Sequence, residues 1–476
     1  GATQRYESSG SYRLLQAKDT SGNTLTYAYG ANGFLSSVNT PNGDATFYDY
    51  VGNNLSQVRI VSGGATSTRV RYAYDSSNRL TTVTVDLSPA DNSVADGKVY
   101  QTTYSYDGTS RRIASINQSD GSSFAFTYVD LGGGDFRVAS LRDGLNQTTT
   151  FAYGAGYTTV TDAQGLVTRY DHDATSQLTK ITAPAVAGGT TPTRQFTYNA
   201  NGDVTTIVDG EGRTVTFQYD ASGNQVLQRD QAGNTITRTY DVRNQLLNET
   251  VYLQPDPDGA GTGLPGTPQT TRNVYDAGGR NLLRFSVSAD GSVTEHRYDS
   301  FGQRIATINH VVGRYSISGL AANAPLAESD LVAWSGTQNL TTTQRIDYAY
   351  DGRGLLQART TYARTATTGE GVADGSQSIT RYVYDRSGLL LQTVAPTGGT
   401  TNYVYDGLGR VQAATDANNQ VTVTQYNDAG RKTTVTLSTG LVTTSTYDAA
   451  GRLVSIAKTD ASAALLGETR YFYDKS

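Results

Sequence analysis

The sequence from Tyr382 to Leu453 reads YVYDRSGLLLQTVAPTGGTTNYVYDGLGRVQAATDANNQVTVTQYNDAGRKTTVTLSTGLVTTSTYDAAGRL, and it repeats one short motif four times. The dipeptides that mark the four copies, Tyr384-Asp385, Tyr405-Asp406, Tyr426-Asn427 and Tyr447-Asp448, stand 21 residues apart. A fixed period of roughly 20 to 50 residues is typical of repeat architectures, in which each unit packs against its neighbours. The period therefore predicts one repeat array and not the roughly three globular domains that this length would otherwise suggest.

One unit reads Tyr-x-Tyr-Asp-x-x-Gly-Arg-Leu, and a second turn follows after a short apolar run. The runs between turns, such as 214–219 and 421–426, alternate with period two and are rich in Thr, Val and Tyr, which is typical of strands. The Gly after the Asp tolerates positive φ, and the Asp side chain can accept hydrogen bonds from main-chain N–H groups further round the turn. Each unit is therefore predicted to be a β-hairpin, and consecutive hairpins to form an antiparallel meander.

In the four clearest copies we expect the structural motif to consist of Tyr382, Tyr384, Asp385, Gly388, Tyr403, Tyr405, Asp406, Gly409, Arg410, Tyr426, Gly430, Arg431, Tyr447, Asp448, Gly451 and Arg452. Both rings of Tyr-x-Tyr point to the same face of a strand. Because neighbouring strands lie about 4.8 Å apart, rings from nearby hairpins are expected to touch and form aromatic rows. The Arg of Gly-Arg is predicted to bridge to Asp or to stack on a Tyr of the next hairpin.

The composition excludes several classes of protein. The 476 residues are 37% apolar but include 51 Gly and 33 Tyr, which is too aromatic and patterned for disorder and too poor in aliphatic residues for a thick core. A net charge of -5 gives no basic surface for nucleic acid. The absence of Cys excludes disulfides, thiolate zinc sites and Cys nucleophiles. No stretch approaches the roughly 20 apolar residues that a membrane-spanning helix needs.

We expect a single repeat domain over residues 1–476, with four interruptions of the period. Three of them are expected loops, at about 87–99, about 255–269 and about 366–378. The fourth, at about 311–344, contains the one predicted helix of the chain.

The predicted helix has Asn323 as its cap, Pro325 in its first turn and Gly336 as its stop. Trp334, the only Trp in the chain, is expected to fill a hydrophobic gap. Because the remainder of the chain repeats, function is expected where the period breaks, above all between Val311 and Gln344.

The three His residues are the candidates for catalysis. His172 and His296 each stand where the repeat has a Tyr, and His310 follows a strand beside the insertion. Substitution of a planar polar ring within the repeat explains the first two, and no metal-ligand or nucleophile motif surrounds any of the three. Each turn offers only one or two carboxylates, whereas Ca²⁺ takes six to eight oxygen ligands. We therefore expect no catalytic residue, no metal and no cofactor.

The motif at this period resembles the YD repeats of the Rhs family, found in bacterial polymorphic toxins, toxin-complex B and C components and teneurins. The resemblance covers nearly the whole chain. It implies an all-β fold in which tandem hairpins join into one continuous antiparallel β-sheet that curls into a hollow spiral shell or part of one. In bacterial members of the family the shell encloses a C-terminal toxin, and in teneurins it packs with other modules at the cell surface.

One feature departs from the toxin-bearing pattern. Those proteins end the shell with an Asp-Pro-x-Gly segment and an aspartyl self-cleavage site, whereas the similar stretch here, 255–259, lies in the middle of the chain. About 36 strands spaced about 4.8 Å apart would form a strip of roughly 170 Å, enough for about one turn of a cylinder some 50 Å across. The sequence is therefore compatible with an open belt as well as with a closed shell.

The expected function is a non-enzymatic structural segment of an exported bacterial Rhs/YD-repeat protein, secreted or at the cell surface, that scaffolds or encloses a toxin or other cargo. Its expected partners are other parts of the same longer polypeptide. The alternative is a cell-surface adhesion module that binds carbohydrate through exposed Tyr and Arg. A hydrolase that uses His310 with a nearby Asp is a third, remote hypothesis.

Overall fold

The computed structural model describes residues 3–8, 10–18, 24–41, 43–185, 191–259 and 264–473, and these residues form almost entirely β-strands. The first strands are β1 Thr3–Tyr6, β2 Leu14–Lys18, β3 Thr24–Tyr29, β4 Leu35–Asn39, β5 Ala45–Val51, β6 Asn54–Ser62, β7 Ala65–Tyr74, β8 Leu80–Asp86, β9 Val99–Tyr106, β10 Ile113–Gln118, β11 Ser123–Asp130, β12 Phe136–Asp143 and β13 Thr148–Gly154. The middle strands are β14 Tyr157–Thr161, β15 Val167–His172, β16 Leu178–Thr182, β17 Thr193–Tyr198, β18 Val204–Asp209, β19 Thr214–Tyr219, β20 Gln225–Asp230, β21 Thr235–Tyr240, β22 Leu246–Gln254, β23 Gly266–Tyr275, β24 Leu283–Val287, β25 Ser292–Tyr298, β26 Arg304–Arg314, β27 Gln344–Tyr350 and β28 Leu356–Thr361. The last strands are β29 Ser378–Tyr384, β30 Leu390–Val394, β31 Thr400–Tyr405, β32 Val411–Thr415, β33 Val421–Asn427, β34 Lys432–Thr436, β35 Val442–Tyr447, β36 Leu453–Thr459 and β37 Leu465–Arg470.

The strands form an all-β repeat fold. The 37 strands of the described chain belong to one sheet, in which nearly all strands pair antiparallel with the next strand in sequence, as β30 does with β31 and β31 with β32. The prediction of tandem hairpins joined into a continuous antiparallel sheet is therefore confirmed. A single helix, α1 Glu328–Thr337, and two short 3-10 helices, Pro89–Asp91 and Leu340–Thr342, interrupt the described strands.

The chain divides into two compact units. Unit 1 comprises Gly1–Phe151, Asp162–Gly165 and Arg381–Ser476, so that it brings together the early and the late hairpins. Unit 2 comprises Ala152–Thr161 and Leu166–Thr380. The expectation that residues 1–476 act as one domain remains a prediction.

The hairpin turns have the conformation that the motif predicts. At Asp385 the side-chain Oδ1 accepts hydrogen bonds from the main-chain N–H groups of Ser387 and Leu389, both at 2.8 Å. Gly388 completes the turn with φ of 85°, a conformation that a residue with a Cβ adopts only under strain. The second turn of a unit is built in the same way, as at Asp209, whose Oδ1 accepts from Glu211 and Arg213.

A β-bulge accompanies most of the first turns. In the hairpin of β31 and β32, Val404 pairs with Ala413 but Tyr405 pairs with Val411, so Gln412 has no partner in this ladder. Such an extra residue twists the hairpin and disturbs the regular main-chain hydrogen bonds. The bulge thus adds one residue, Gln412, to the strand that follows the first turn of this hairpin.

One of the four clearest copies departs from the predicted turn. β33 and β34 pair without a bulge, and the strand continues to Asn427 opposite Lys432. The turn shifts by one residue as a result, and Arg431, with φ of 50°, takes the left-handed conformation that was predicted for Gly430. The prediction for Gly430 was therefore wrong.

The interruptions differ from the predicted ranges at their ends. The first loop lies between Asp86 and Val99, and the third is longer than expected, because β28 ends at Thr361 and β29 begins at Ser378. In the second, β23 already begins at Gly266 and pairs with β22, while residues 260–263 lie outside the described chain.

The predicted cap and stop of the helix were both wrong. Helix α1 begins only at Glu328, so Asn323 and Pro325 precede it, and Gly336 lies within it. The start is fixed by tertiary contacts, since the Glu328 carboxylate accepts hydrogen bonds from the Ala277 main-chain N–H at 2.7 Å and from Arg284 Nε at 2.8 Å. Partners far away in the sequence thus outweigh the local capping signal.

The insertion covers the only apolar cluster of fully buried residues in the described chain. Leu331 of α1 is completely buried against Phe285, Val287, Val274 and Val293. Tyr315, Ile317, Leu326 and Trp334 pack around this cluster. Elsewhere the described strands are mostly half-buried, which fits the low aliphatic content of the sequence.

Candidate functional site

Where a first turn carries both the Asp and the Arg of the motif, the two side chains form a clamp. Arg410 donates from its main-chain N–H to Asp406 Oδ1 at 2.9 Å and from Nε to Asp406 Oδ2 at 2.7 Å. The same pair of bonds joins Arg452 to Asp448 at 2.9 Å each. The Arg side chain is therefore fixed in direction by the turn from which it arises.

The Tyr that precedes the Asp reaches back to the preceding hairpin. The hydroxyl of Tyr405 donates to the main-chain carbonyl of Leu390, which pairs with Tyr384 at the bulge of that hairpin. The equivalent hydroxyl donates to the equivalent carbonyl, over 2.6 to 3.3 Å, at Tyr29, Tyr106, Tyr128, Tyr198, Tyr219, Tyr240, Tyr298, Tyr350, Tyr405, Tyr426 and Tyr473. Main-chain carbonyls that the bulge takes out of the regular ladder thus gain a donor, and consecutive hairpins are joined.

The Arg completes the clamp by covering the face of the same ring. Arg410 lies 4.1 Å from the ring centroid of Tyr426, whose hydroxyl donates to Val411, the residue after Arg410. The guanidinium group stacks likewise, at 4.1 to 5.5 Å, in the pairs Arg13 with Tyr29, Arg79 with Tyr106, Arg112 with Tyr128, Arg410 with Tyr426, and Arg452 with Tyr473. The Arg therefore holds the next Tyr at its ring face, and the residue after the Arg holds the same Tyr at its hydroxyl.

The aromatic rows that we expected are largely replaced by this arrangement. Among the described residues, Phe34 and Tyr50 are the one pair of repeat rings from different strands in close contact, at 5.3 Å, while Tyr403 and Tyr405 lie 6.5 Å apart on one strand. The prediction was wrong because in the clamps a guanidinium group occupies the space beside the ring, as Arg410 does at Tyr426. The Tyr hydroxyl and the Arg side chain of such a clamp bind partners within the sheet itself.

Arg410 has the most contacts of the motif Arg residues. Besides Asp406 it binds Asp428, with Nη1 to Oδ1 at 2.6 Å and Nη2 to Oδ2 at 3.1 Å. Burial opposes the charge of Arg410, but the hydrogen bonds to Asp428 and Asp406 outweigh it and raise the pKa of the guanidinium group. This group therefore remains charged while it joins two turns.

A second arrangement appears in unit 1, where turns of the late hairpins meet turns of the early ones; we call it the seam. Arg386 Nε lies 2.6 Å from Asp44 Oδ2, and the Gly407 main-chain N–H donates to the Leu87 carbonyl at 3.1 Å. A Cβ added at Gly144 would lie 2.7 Å from the carbonyl oxygen of Ala449. The seam follows the chain in order, because residues 386, 407 and 449 meet residues 44, 87 and 144.

A polar cavity of about 230 Å³ lies at the seam. Asp120 and Ser122 line it from the early hairpins, and Arg410, Asp428 and Lys432 are among the residues that line it from the late ones. Charged side chains of both signs line it on the two sides of the seam.

Tyr100 stands close to this cavity. Its hydroxyl donates to Asp120 Oδ2 at 3.0 Å. Burial, this hydrogen bond and the negative charge of Asp120 raise the pKa of Tyr100 to about 12.

Beside the insertion of unit 2, a buried His lies close to a buried Glu. His310, at 3% exposure, lies 4.9 Å from Trp334 between ring centroids, and its Nε2 is 3.5 Å from Glu295 Oε2. Burial alone would raise the pKa of Glu295, but His310 and Arg297, whose Nε donates to Oε1 at 2.7 Å, outweigh burial and lower it. A cavity of about 160 Å³ adjoins His310 beside Gln338.

The arrangement around His310 lacks the parts of a hydrolytic site. No Ser, Thr or Asp side chain forms a hydrogen bond with either ring nitrogen in the described chain, and the acidic neighbour is Glu295 in place of the expected Asp. Trp334 packs against the His310 ring and the apolar cluster, which is the gap-filling role that we expected.

The other two His residues occupy repeat positions, as the sequence predicts. His172 pairs with Leu178 at a bulge, which is the position of the second Tyr. His296 pairs with Thr307, and its Nδ1 lies 3.3 Å from Thr307 Oγ1. Burial, together with the positive charges of Arg304 and Arg284, lowers the pKa of His296.

The described residues offer no candidate for two other kinds of site. Within them no three side chains of His, Asp or Glu come together as metal ligands would. Of the helices described, none has the length and apolar character needed to cross a bilayer.

Two family models match parts of the chain. A model described as RHS Repeat matches residues 158–191 and 198–230, and one described as Teneurin YD-shell matches residues 328–471. Comparison with curated protein sequences gives no match.

Solved structures match almost the whole fold. The crystal structure of TcdB2-TccC3 without its hypervariable C-terminal region has a TM-score of 0.60 and 11% identity, over 97% of this chain and 30% of that one. Crystal structures of TcdB2-TccC3 and of TcdB2-TccC3-Cdc42 give TM-scores of 0.55 and 0.53 with 12% and 10% identity, over 98% of this chain and 28% and 30% of theirs. The chain thus spans less than a third of the length of the structures that it matches. At this identity the likeness concerns the fold alone.

Proposed function

We propose that this chain, which carries RHS repeats and a teneurin YD-shell segment, forms part of the wall of a protein container and encloses a cargo that belongs to the same longer polypeptide. The confirmed resemblance supports a structural repeat role, and enclosure and export are the further steps of this proposal. The observation that carries it is the seam of unit 1, where hairpins some 300 residues apart in sequence meet turn to turn.

The clamps supply what such a wall needs. A sheet one layer thick has no conventional core, so its rigidity must come from contacts between neighbouring hairpins. The bond from Tyr405 to Leu390 and the stacking of Arg410 on Tyr426 provide these contacts within the sheet itself. A wall of this kind can separate a cargo from solvent without any residue that performs a reaction.

One of the similar structures supports the proposal that the longer polypeptide has a further segment. It is described as TcdB2-TccC3 without its hypervariable C-terminal region, which means that the complete protein has such a region. We propose an analogous arrangement for the polypeptide to which this chain belongs, with export to the cell exterior.

Limited proteolysis of the complete natural gene product tests the proposal. We expect one segment to resist a protease as long as the wall is intact and to be cut within minutes once the seam is opened by Gly407→Arg. Val242→Arg is the matched control, since Val242 occupies the same turn position and is fully exposed. Equal cleavage of every segment in the unaltered protein would refute enclosure.

A further inference from the structure

We propose that the residue directly after each turn Asp sets the register of the seam. In the four clearest repeats this position holds Arg386, Gly407, Asp428 and Ala449, which differ in size and charge although the surrounding motif is nearly constant. The inference concerns unit 1 alone and does not depend on whether a cargo is enclosed.

Three of these four residues, Arg386, Gly407 and Ala449, match what they meet on the early hairpins. Arg386 is a cation and forms an ion pair with Asp44, which is only 7% exposed. Beside it, Arg69 Nη2 of the early hairpins lies 3.9 Å from Asp385 Oδ2, which adds a second contact of opposite charges.

Gly407 fits because it has no side chain. Its N–H donates to the carbonyl of Leu87, and a Cβ at this position would overlap the main-chain carbonyl oxygen of Asp86. Gly407 does not need positive φ, since it is not among the residues in the left-handed region. The close approach of the two turns is therefore what requires Gly here, and any other residue would push them apart.

The other two positions differ in what they bind. Asp428 binds Arg410 of the late hairpins beside the seam cavity, and its charge contributes to the raised pKa of Tyr100 on the early side. Ala449 lies against Gly144, where an added Cβ would be 3.2 Å from the Ala449 Cβ. This contact has room for one small side chain on the late hairpin, and it accepts one on the early hairpin only if the two turns move apart by a few tenths of an ångström.

A shift of the seam by one hairpin would lose all of these matches. A shift in one direction would place Arg386 against the Asp86 carbonyl, where not even a Cβ fits. A shift in the other direction would place Gly407 against Asp44, which would lose its ion pair with Arg386. Repeats that are nearly identical can pair equally well in several registers unless some positions discriminate between them. The varied position after the Asp provides this discrimination by attraction at Arg386 and by exclusion at Gly407.

A disulfide reports the register, because the chain has no Cys of its own. Gly144→Cys with Ala449→Cys places the two Cβ atoms 3.2 Å apart, so a separation of the two turns by a few tenths of an ångström brings them to the roughly 3.5–4.5 Å that a disulfide needs. We expect this pair to oxidise readily in the otherwise unaltered chain and in the Val242→Arg control. With Gly407→Arg, which puts the residue of position 386 into position 407, we expect oxidation to be at least about ten-fold slower, because the two Cβ atoms no longer meet.

Two further variants make the outcome decisive. Arg386→Gly removes attraction without introducing a clash and should slow oxidation less than Gly407→Arg does. Gly467→Ala adds a Cβ where no atom lies within 4 Å and should have no effect. Trp334 fluorescence checks that unit 2 stays folded in each variant. Unchanged oxidation in Gly407→Arg would overturn the proposal, and so would equal slowing in Val242→Arg.

Discussion

The hydroxyl of Tyr405 donates a hydrogen bond of 2.7 Å to the main-chain carbonyl of Leu390, fifteen residues earlier in the chain. Leu390 stands opposite Tyr384 at the bulge of the preceding hairpin. The tyrosine hydroxyl of one hairpin therefore binds a main-chain carbonyl at the bulge of the hairpin before it. The same relationship links Tyr426 to Val411. A repeat protein built in this way transmits order from each hairpin to the next without a continuous apolar core.

Replacing Tyr405 by Phe removes this bond and little else. We expect a local loss of about 1 kcal/mol, the usual net contribution of one hydrogen bond, because the carbonyl of Leu390 is left without its donor. Hydrogen exchange of the main-chain amides in β30 and β31 measures the effect locally. Tyr6→Phe is the control, since the Tyr6 hydroxyl bonds only to the exposed side chain of Gln4. Equal exchange in the two variants would contradict the role of the bond.

The turn carboxylates make the protein sensitive to acid. The side-chain amide of Asn224 and the main-chain N–H groups of Asn224 and Ser222 donate to Asp220 and lower its pKa. A group whose pKa is lower in the folded state stabilises the fold above its unfolded value of about 3.9, and this contribution is lost as the pH falls further.

We therefore expect the melting temperature to fall steeply below about pH 4, with a smaller fall in Asp220→Asn than in the unaltered protein. The amide oxygen of Asn can still accept both main-chain hydrogen bonds, as it does naturally at Asn199. An identical dependence of melting temperature on pH in the two proteins would show that Asp220 does not contribute.

The periodic part of the fold could be predicted from the sequence. Period two in runs such as 421–426, with an Asp and a Gly at fixed offsets, specifies strands and turns through local rules, and those rules held at Gly388. They failed at Gly430, where the absence of a bulge moved the turn by one residue, and at Asn323, where contacts of Glu328 with distant residues decided the helix start. Local signals carry no information about such distant partners.

The clamp could be predicted in part, and the seam could not. The Arg of Gly-Arg was expected to meet Asp or a Tyr of the next hairpin, and Arg410 meets both. The missed signal was the residue after this Arg, such as Val411 or Leu453, because its carbonyl at the bulge accepts the hydrogen bond of the next Tyr. The seam joins residues such as Gly407 and Leu87, and only the unusual variety after each Asp within otherwise constant repeats points to it.

Tyr100 predicts a response to alkali. Its pKa is raised to about 12 by burial and by Asp120, and an acid whose pKa is higher in the folded state stabilises the fold below its unfolded value of about 10. This contribution is lost as the pH rises towards 12. A titration followed by absorbance at 295 nm should lose a step near pH 12 in Tyr100→Phe, and in Asp120→Asn this step should move to lower pH. If Tyr100→Phe instead loses a titration step at a pH well below 12, Tyr100 is not buried at the seam.

Leu331 predicts how strongly the insertion is held to unit 2. It is completely buried against Phe285 and Val293, so Leu331→Ala should destabilise unit 2 by about 2–5 kcal/mol, the range for buried Leu replaced by Ala. Trp334 is the only Trp in the chain and packs against the same cluster, so its fluorescence during urea denaturation reports this unit selectively. Val332→Ala, at a neighbouring position that is 47% exposed, should change the stability by less than about 1 kcal/mol. If both variants unfold at the same urea concentration as the unaltered protein, the helix is not part of the cooperative core, and the buried pair of Glu295 and His310 beneath it must be held by the strands alone.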